Sequence, residues 1–275
     1  MAYQIEYAYT CHIGKIRNNN EDNFWCCGQY LEEQNQGMSH IRNGRTKQTD
    51  LPLFAVFDGM GGESCGETAA FLTARKCGEY YDSHKKKMQS EPTEALEELC
   101  EEMNRVVCSY GKENKITSMG TTAAMLFFDK EYIYGCNLGD SRIYRFTGER
   151  FYQISEDHVL GRRRFGKAPL TQYVGMMEEN LKLEPSISKQ EAVIGDRFLI
   201  CSDGITDMLL DGEIADILNR ELTVEETVEV LVERALKKGG KDNITVILCE
   251  VKEQEKNWIQ RLIRKFHGRY EGDVK

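Results

Sequence analysis

Four aspartates stand at the boundaries of short apolar runs: Asp58, Asp140, Asp203 and Asp242. Two of them follow a run and precede a glycine, in Phe-Ala-Val-Phe-Asp-Gly and Leu-Ile-Cys-Ser-Asp-Gly, and the other two lie just before a run. Short apolar runs bounded by Gly, Asp or Asn are typical of strands, and a glycine lets another backbone approach closely. The pattern therefore predicts carboxylates placed by strand ends.

Carboxylates that meet at one sheet edge would form a cation site. Together with Glu21 or Asp22, the four aspartates would repel one another strongly unless divalent cations neutralised them. The ten cysteines and five histidines show no ligand-like spacing, so oxygen atoms would bind the metal. This donor chemistry favours magnesium or manganese. A single Asp-Gly pair is more often only a turn, and the repetition at four boundaries argues for a shared site.

The elements that position these residues are mixed. A helix is predicted after Pro92-Thr93, where Leu96, Leu99, Cys100, Met103, Val107 and Tyr110 repeat at three and four residues. A capping box from Thr223 to Glu226 begins another helix. Asp211 is predicted to cap a shorter helix. Strands and helices come in runs without regular alternation, which favours an α+β layered architecture. The predicted strands are Leu53 to Phe57, Ala123 to Phe128, Ile143 to Phe146, Phe198 to Cys201 and Ile244 to Val251.

Composition limits the possible functions. The chain has 275 residues, 40% of them hydrophobic, which is enough for a substantial core, and its net charge is −9. This acidic balance argues against binding nucleic acid. The sequence shows no membrane span or signal peptide, and scattered cysteines indicate a reducing compartment, so we expect a cytoplasmic protein. Polar stretches at residues 32–50 and 161–171 are predicted to be surface loops.

The ordered motifs resemble those of the metal-dependent 2C-type serine/threonine protein phosphatases, as found in bacteria, over roughly residues 8 to 252. The matching segments are Gly-Lys-Ile-Arg with Asn-Glu-Asp at residues 14–22, Phe-Ala-Val-Phe-Asp-Gly-Met-Gly-Gly at 54–62, Gly-Thr-Thr-Ala at 120–123, Asn-Leu-Gly-Asp-Ser-Arg at 137–142, Ser-Asp-Gly at 202–204 and Asp-Asn at 242–243. So many ordered motifs make the resemblance highly specific.

This resemblance implies a four-layer αββα sandwich, with two antiparallel sheets flanked by helix pairs and two Mn²⁺ or Mg²⁺ ions at one end. Asp58 would bridge the ions. Asp203 and Asp242 would complete the shell of one ion, while Glu21 and the Gly59 carbonyl would serve the other, partly through water. By the same likeness, Asp22 would support that second shell, and Asp140 with Asp203 could hold a third, weaker ion.

The implied reaction is hydrolysis of phosphoserine and phosphothreonine in proteins by a metal-activated water, in opposition to serine/threonine kinases. Arg17 matches the phosphate clamp of the family, because a guanidinium can donate two parallel hydrogen bonds to a phosphate. Many eukaryotic members have a histidine where this chain has Met60, so the usual proton donor to the leaving group is missing. Water or another acid would replace it.

Two other functions remain open from the sequence. Cys11 to Arg17 and Cys136 to Arg142 both have the Cys-x5-Arg spacing of thiolate phosphatases, although ten cysteines make this spacing easy to reach by chance. A catalytically inactive module that binds phosphoproteins is the other alternative. Intact carboxylates argue against it, because clustered charge without a metal is costly.

The division predicted for the chain is a catalytic domain at residues 1–252 and a basic amphipathic tail at 253–275. In the tail, Trp258, Ile259, Leu262, Ile263 and Phe266 repeat at helical spacing, with Arg261, Arg264 and Lys265 among them. Docking on the catalytic domain or binding a partner ranks above contact with an anionic membrane. We expect a monomer. The loop between Asp157-His158 and Leu170-Thr171 carries Arg162, Arg163, Arg164 and Lys167, which could attract acidic or phosphorylated segments.

Overall fold

A computed structural model describes residues 2–61, 65–116, 118–148, 150–161, 168–176 and 182–254. The four basic residues of the loop after Asp157 and the whole stripe of the C-terminal tail lie outside the described residues. So does Gly62 of the Phe-Asp-Gly-Met-Gly-Gly motif.

The strands described are β1 (Tyr3–His12), β2 (Asp22–Cys26), β3 (Arg42–Lys47), β4 (Leu53–Gly61), β5 (Met119–Thr121), β6 (Ala123–Phe128), β7 (Tyr132–Leu138), β8 (Arg142–Thr147), β9 (Arg150–Gln153), β10 (Ser186–Glu191), β11 (Arg197–Cys201) and β12 (Ile244–Glu253). The helices are α1 (Gly66–Ser90), α2 (Pro92–Asn114), α3 (Asp203–Thr206), α4 (Asp211–Leu218) and α5 (Val224–Lys237).

These strands form two sheets, and all pairings within them are antiparallel. The strand order is β3-β1-β12-β11-β8-β9 in the first sheet and β10-β7-β6-β4-β2 in the second, where β5 also pairs with β4. Helices α1 and α2 cover the outer face of the second sheet, and α3, α4 and α5 cover the first. The α+β sandwich of four layers is confirmed.

Strand β4 shows why the sequence gives this layering. Successive side chains of a strand point to opposite faces. Leu53, Ala55 and Phe57 are buried against α1 and α2, whereas Phe54 and Val56 are buried between the two sheets. Burial on both faces explains why the run is continuously apolar rather than alternating with polar residues.

Helix α5 begins at the predicted capping box. The Glu226 N–H donates to Thr223 Oγ1 at 3.2 Å, and the Thr223 N–H donates to Glu226 Oε2 at 2.9 Å. The apolar face of α5, with Val228 and Leu231, packs on Leu248 of β12. Helix α2 likewise begins with Pro92 in its first turn, as its sequence predicts. None of the helices described is long and apolar enough to cross a membrane.

Two local predictions were wrong. The stretch of residues 32–50, predicted to be a loop, contains β3, whose side chains are exposed or half-buried because it is an edge strand paired only with β1. Polar, charged edge strands lack the apolar signal of a strand. Asp211 is also not a helix cap: α4 begins at Asp211 itself, the Glu213 carboxylate accepts from the Leu210 N–H, and Asp211 accepts from the Tyr144 hydroxyl.

We expect Gly78→Ala to destabilise the protein, because a Cβ on this residue of α1 would overlap the indole ring of Trp25 on β2. Overpacking of this kind costs about 1–3 kcal/mol, although alanine favours a helix over glycine by ~1 kcal/mol. Urea denaturation measures the change. Gly212→Ala is the matched control in α4, since a Cβ there meets nothing within 4 Å. Equal urea midpoints for the two variants would contradict this packing.

Candidate metal centre

The predicted carboxylates converge on one end of the two sheets. Asp22 on β2 lies directly opposite Asp58 on β4. Strand β4 does not end at Asp58, as the sequence suggested, but continues to Gly61 and changes partner from β6 to β5. Asp58 therefore lies within a strand at the point where its partner changes, and its backbone position is fixed on both sides.

Thr122 holds the backbone of Asp58 at this point. The Asp58 N–H donates to Thr122 Oγ1 at 3.0 Å, and the Thr122 N–H donates to the Asp58 carbonyl at 2.9 Å. The Thr122 hydroxyl also lies 2.7 Å from the hydroxyl of Ser141. Asp140, which is buried, immediately precedes Ser141 in the turn from β7 to β8. The same hydroxyl pair therefore positions the Asp140 turn beside Asp58.

Asp22 is a buried carboxylate shared between the two sheets. Its Oδ2 accepts hydrogen bonds from Ser202 Oγ at 2.8 Å and from Thr245 Oγ1 at 2.7 Å, and both of these residues adjoin strands of the first sheet. Burial, with further repulsion from Asp203 and Asp242, raises the pKa of Asp22 to about 7 even though these hydroxyls stabilise the charged form. The charged form of Asp22 is therefore disfavoured at this buried position, and a nearby cation would favour it again.

Asn243 ties the segment of Arg17 and Glu21 to the start of β12. Its Oδ1 accepts from the Glu21 N–H at 2.8 Å, and its Nδ2 donates to the carbonyls of Ile13 and Asn19 at 2.9 and 3.0 Å. The Asn243 side chain is buried, so these hydrogen bonds are protected from water. This side chain sets the distance between Glu21 and Asp242.

Glycine is required at two close approaches. The Gly59 N–H donates to the Glu21 carbonyl at 3.0 Å, and a Cβ on Gly59 would overlap the carbonyl oxygens of Glu21 and Gly66. A Cβ on Gly204 would overlap the Asn243 carbonyl. Asp203, the buried first residue of α3, is thus brought against Asn243, and the Gly59 backbone is brought against Glu21.

Glu21 lies between Asn19 and the start of α1. Its Oε1 accepts from Asn19 Nδ2 at 3.1 Å. Burial raises the pKa of Glu21, and repulsion from Glu67 and Asp242 adds to this, while Asn19 and Arg17 oppose it. Glu21 therefore shares the electrostatic environment of Asp242 and Arg17.

Arg17 forms a bidentate ion pair with Asp242. Nε lies 2.8 Å from Asp242 Oδ1, and one terminal nitrogen donates to Asp242 Oδ2 at 2.9 Å. The pKa of Arg17 is raised, chiefly by this hydrogen bond, with smaller contributions from Glu21 and Asp58. The Arg17 side chain is 40% exposed, so the guanidinium faces solvent at the rim of the carboxylate group.

The donor chemistry of this end of the sandwich fits a hard divalent cation. The predicted ligands are carboxylate and carbonyl oxygens, and charge repulsion among buried carboxylates is what a cation would relieve. Within the described residues, no three Asp, Glu, His or Cys side chains already form a cage for a metal. Arg17 already contacts both oxygens of Asp242, so a cation bound there would either share this carboxylate with the guanidinium or displace the guanidinium from it.

The two Cys-x5-Arg spacings do not form thiolate sites. Cys11 is fully buried, and burial together with Asp22 raises the pKa of its thiol to about 12. Cys136 is buried in β7, and Arg142 is occupied by Asp157, with three contacts of 2.7 to 3.0 Å. A nucleophilic cysteine needs access to substrate, and both of these thiols are buried.

Several supporting residues were missed by the sequence reasoning. Thr122 belongs to the Gly-Thr-Thr-Ala motif and Asn243 to the Asp-Asn motif. Nothing in either residue type indicates which backbone groups it binds. Ser202 and Thr245 meet Asp22 only because the two sheets pack together. His158 also supports the turn before Asp140: its Nδ1 accepts from the Gly139 N–H at 3.2 Å.

Comparison with known proteins identifies a family over most of the chain. The sequence model described as Protein phosphatase 2C matches residues 36–249. The serine/threonine phosphatase stp of Listeria innocua is 29% identical over 250 residues, which cover 86% of this chain and 92% of that protein. The protein phosphatase PhpP of Streptococcus pneumoniae is 28% identical over 266 residues, covering 91% and 99%.

A solved structure shares the fold and was determined with metal. The catalytic domain of the serine/threonine protein phosphatase PstP, crystallised in complex with two manganese ions, is 26% identical. It superposes with a TM-score of 0.71, covering 91% of this chain and 100% of that one.

We expect Asn243→Ala to destabilise the protein by roughly 2–4 kcal/mol, because it leaves partly buried backbone groups of Ile13, Asn19 and Glu21 without this partner. Urea denaturation measures the loss. Asn114→Ala is the matched control, since Asn114 is exposed and donates only to the Tyr110 carbonyl within α2; it should change stability by less than ~0.5 kcal/mol. A loss no larger than that of the control would show that Asn243 does not fix the segment.

Proposed function

The chain belongs to the protein phosphatase 2C family, and from that premise we propose that it hydrolyses phosphoserine and phosphothreonine in proteins in a metal-dependent reaction. The single observation that carries the proposal is the convergence of Asp22, Asp58 and Asp242 with Arg17 at one end of the sandwich. Relatives named as serine/threonine phosphatases support the substrate class.

The proposed ligands are the residues of this end of the sandwich. Asp58 would bridge two cations, with Asp203 and Asp242 on one ion and Glu21 and the Gly59 carbonyl on the other. Asp22, held by two hydroxyl groups, would orient the shell beside Glu21. Asp140 with Asp203 would hold a third ion. Manganese or magnesium suits this set of oxygens, and the manganese-bound PstP structure supports manganese.

Divalent cations held there would supply an activated water and offset the charge of the phosphoryl oxygens. The reaction also requires that the phosphate ester be oriented, and we assign this role to Arg17. The two-pronged geometry with which its guanidinium now holds the Asp242 carboxylate matches a pair of phosphoryl oxygens equally well. A phosphate at the rim would therefore replace Asp242 as the partner of Arg17.

The residue after Gly59 cannot protonate the leaving group. Met60 lies on β4 opposite Gly120 and has no proton to transfer. A serine or threonine alkoxide leaves poorly without a proton, so water or another acid must deliver it.

The setting of the activity follows from the same relatives. We propose that the protein opposes serine/threonine kinases and acts as a monomer in the cytoplasm; its ten free cysteines suit a reducing compartment. An inactive phosphoprotein-binding module is the alternative. Retention of Asp58, Asp203 and Asp242 counts against it, because keeping them close together without catalysis would only cost stability.

We expect release of inorganic phosphate from a phosphothreonine peptide with Mn²⁺, and at most trace release after chelation or from a phosphotyrosine peptide. Asp58→Asn should lower kcat/KM by about a thousandfold or more, because metal-assisted hydrolysis draws several kcal/mol from its ligands. Asp216→Asn, at an exposed site on α4, is the matched control and should keep full activity. Full activity of Asp58→Asn, or activity abolished by thiol alkylation but not by chelation, would refute the proposal.

Arg17→Lys should keep the charge but lose the two-pronged grip, and we expect a roughly tenfold loss in kcat/KM, rising to about a hundredfold in Arg17→Ala. Steady-state kinetics on the same peptide measure both. Arg105→Lys, which alters an exposed arginine paired with Glu102 on α2, should leave the kinetics unchanged. If lysine at position 17 worked as well as arginine, paired hydrogen bonding to phosphate would be ruled out.

A further inference from the structure

A cleft of about 630 Å³ lies on the opposite face of β1 from the sandwich core, between α5 and residues 38–41. Its walls include Thr10 and His12 at the end of β1 and Thr223 at the start of α5. The cleft is separate from the carboxylate site, since none of the proposed metal ligands lines it. We call it the α5 groove.

One wall of the α5 groove is acidic. Glu225, Glu229 and Glu233 all line it and repeat every four residues, so they form a ladder along one face of α5. All three are exposed. Glu225 accepts from Asn43 of β3 and Glu233 pairs with Lys237, while the described residues provide no ion pair for Glu229. Like charges at this spacing destabilise a helix, so the ladder suits a basic partner.

The floor of the α5 groove is apolar. Met38 and Ile41 lie on one side and Val232 on the other. Met38 and Ile41 are half-buried, so each leaves apolar surface towards the groove. A partner that matches both features must carry an apolar stripe flanked by positive charge.

The last 21 residues of this chain have that combination. Residues 255–275 have six Lys and Arg against three Asp and Glu, a net charge of +3. Since the whole chain has a net charge of −9, residues 1–254 have a net charge of −12. The spacing of Trp258, Ile259, Leu262, Ile263 and Phe266 predicts one apolar face. Arg261, Arg264 and Lys265 lie among these positions.

The tail also begins close enough to the α5 groove to reach it. Glu253 pairs with Tyr3, whereas Asn43, which contacts Glu225, pairs with Ala8. Five residues along β1 correspond to about 17 Å. Four extended steps from Gln254 to Trp258 and three helical steps from Trp258 to Arg261 span roughly 18 Å. Arg261 can therefore reach Glu225 at the near end of the acidic ladder, and the basic residues that follow it can reach Glu229 and Glu233.

We propose that residues 255–275 dock in the α5 groove of the same molecule, with the apolar stripe over Met38 and Val232 and the basic residues against Glu229 and Glu233. A tether this short gives the tail a high effective concentration at the groove, so weak contacts are enough to hold it. The groove reaches His12, which precedes the Arg17 segment, so the docked tail lies beside the rim of the phosphatase site.

Hydrogen exchange on the full-length protein tests this docking. We expect amide protection in residues 258–266 and in residues 38–41 of the wild type. Glu229→Lys with Glu233→Lys should lower that protection about three- to tenfold, and so should Arg261→Glu with Lys265→Glu. Glu229 and Glu233 are four residues apart, and so are Arg261 and Lys265. Combining all four substitutions should restore protection, because the charges are exchanged rather than lost.

Glu97→Lys with Glu101→Lys is the matched control, because it makes the same charge change at the same spacing on exposed positions of α2. This control should leave protection of the tail unchanged. The proposal is overturned if the wild-type tail lacks protection, if the combined variant fails to restore it, or if the control lowers it equally. Protection that rises with protein concentration would assign the groove to the tail of a second copy instead. Phosphate release is not measured, so the result is independent of the proposed activity.

Discussion

Repulsion among carboxylates that are held together out of water is the interaction on which the rest of this site depends. At Asp22, burial first and repulsion from Asp203 and Asp242 second raise the pKa to about 7, although two hydroxyl groups donate to this carboxylate. Arg17 supplies part of the positive charge near these carboxylates. It is bound to Asp242, and Glu21 and Asp58 also contribute to raising its pKa. In the proposed reaction, divalent cations would offset the charge of the carboxylates and the phosphate ester would pair with Arg17.

Holding such a group in place requires rigid support from both sheets. Asp58 is fixed by backbone hydrogen bonds with Thr122 in the second sheet, whereas Asp22, also in the second sheet, is held by Ser202 and Thr245 of the first. The site therefore exists only when the sandwich has closed. Residues of the core, such as Phe54 and Val56, keep the sheets together and so act on the site without touching it.

How much was visible in the sequence depended on how local each signal is. Strand β4, helix α2 and the cap of α5 were predicted because apolar spacing and capping residues act within a few positions. Strand β3 was missed because an edge strand needs no apolar face, and Asp211 was misassigned because Glu213 makes the bond at that helix start. The aspartates of the proposed metal site stand in recognisable motifs. The contacts of Asn243 and Thr245 were not predicted, because their partners lie more than 220 residues away along the chain.

The contacts of Asn243 also determine when the site can form during synthesis. Its amide joins residue 243 to Ile13, 230 residues earlier, and β12 fills the place beside β1 in the middle of its sheet. The ribosome synthesises the N-terminal residues first. The segment that contains Arg17 and Glu21 therefore cannot be held by Asn243 until the start of β12 has been synthesised. Closing so long a loop is entropically costly and slow. A nascent chain that still lacks β12 therefore has no assembled centre, because the first sheet is incomplete and Asn243 is missing.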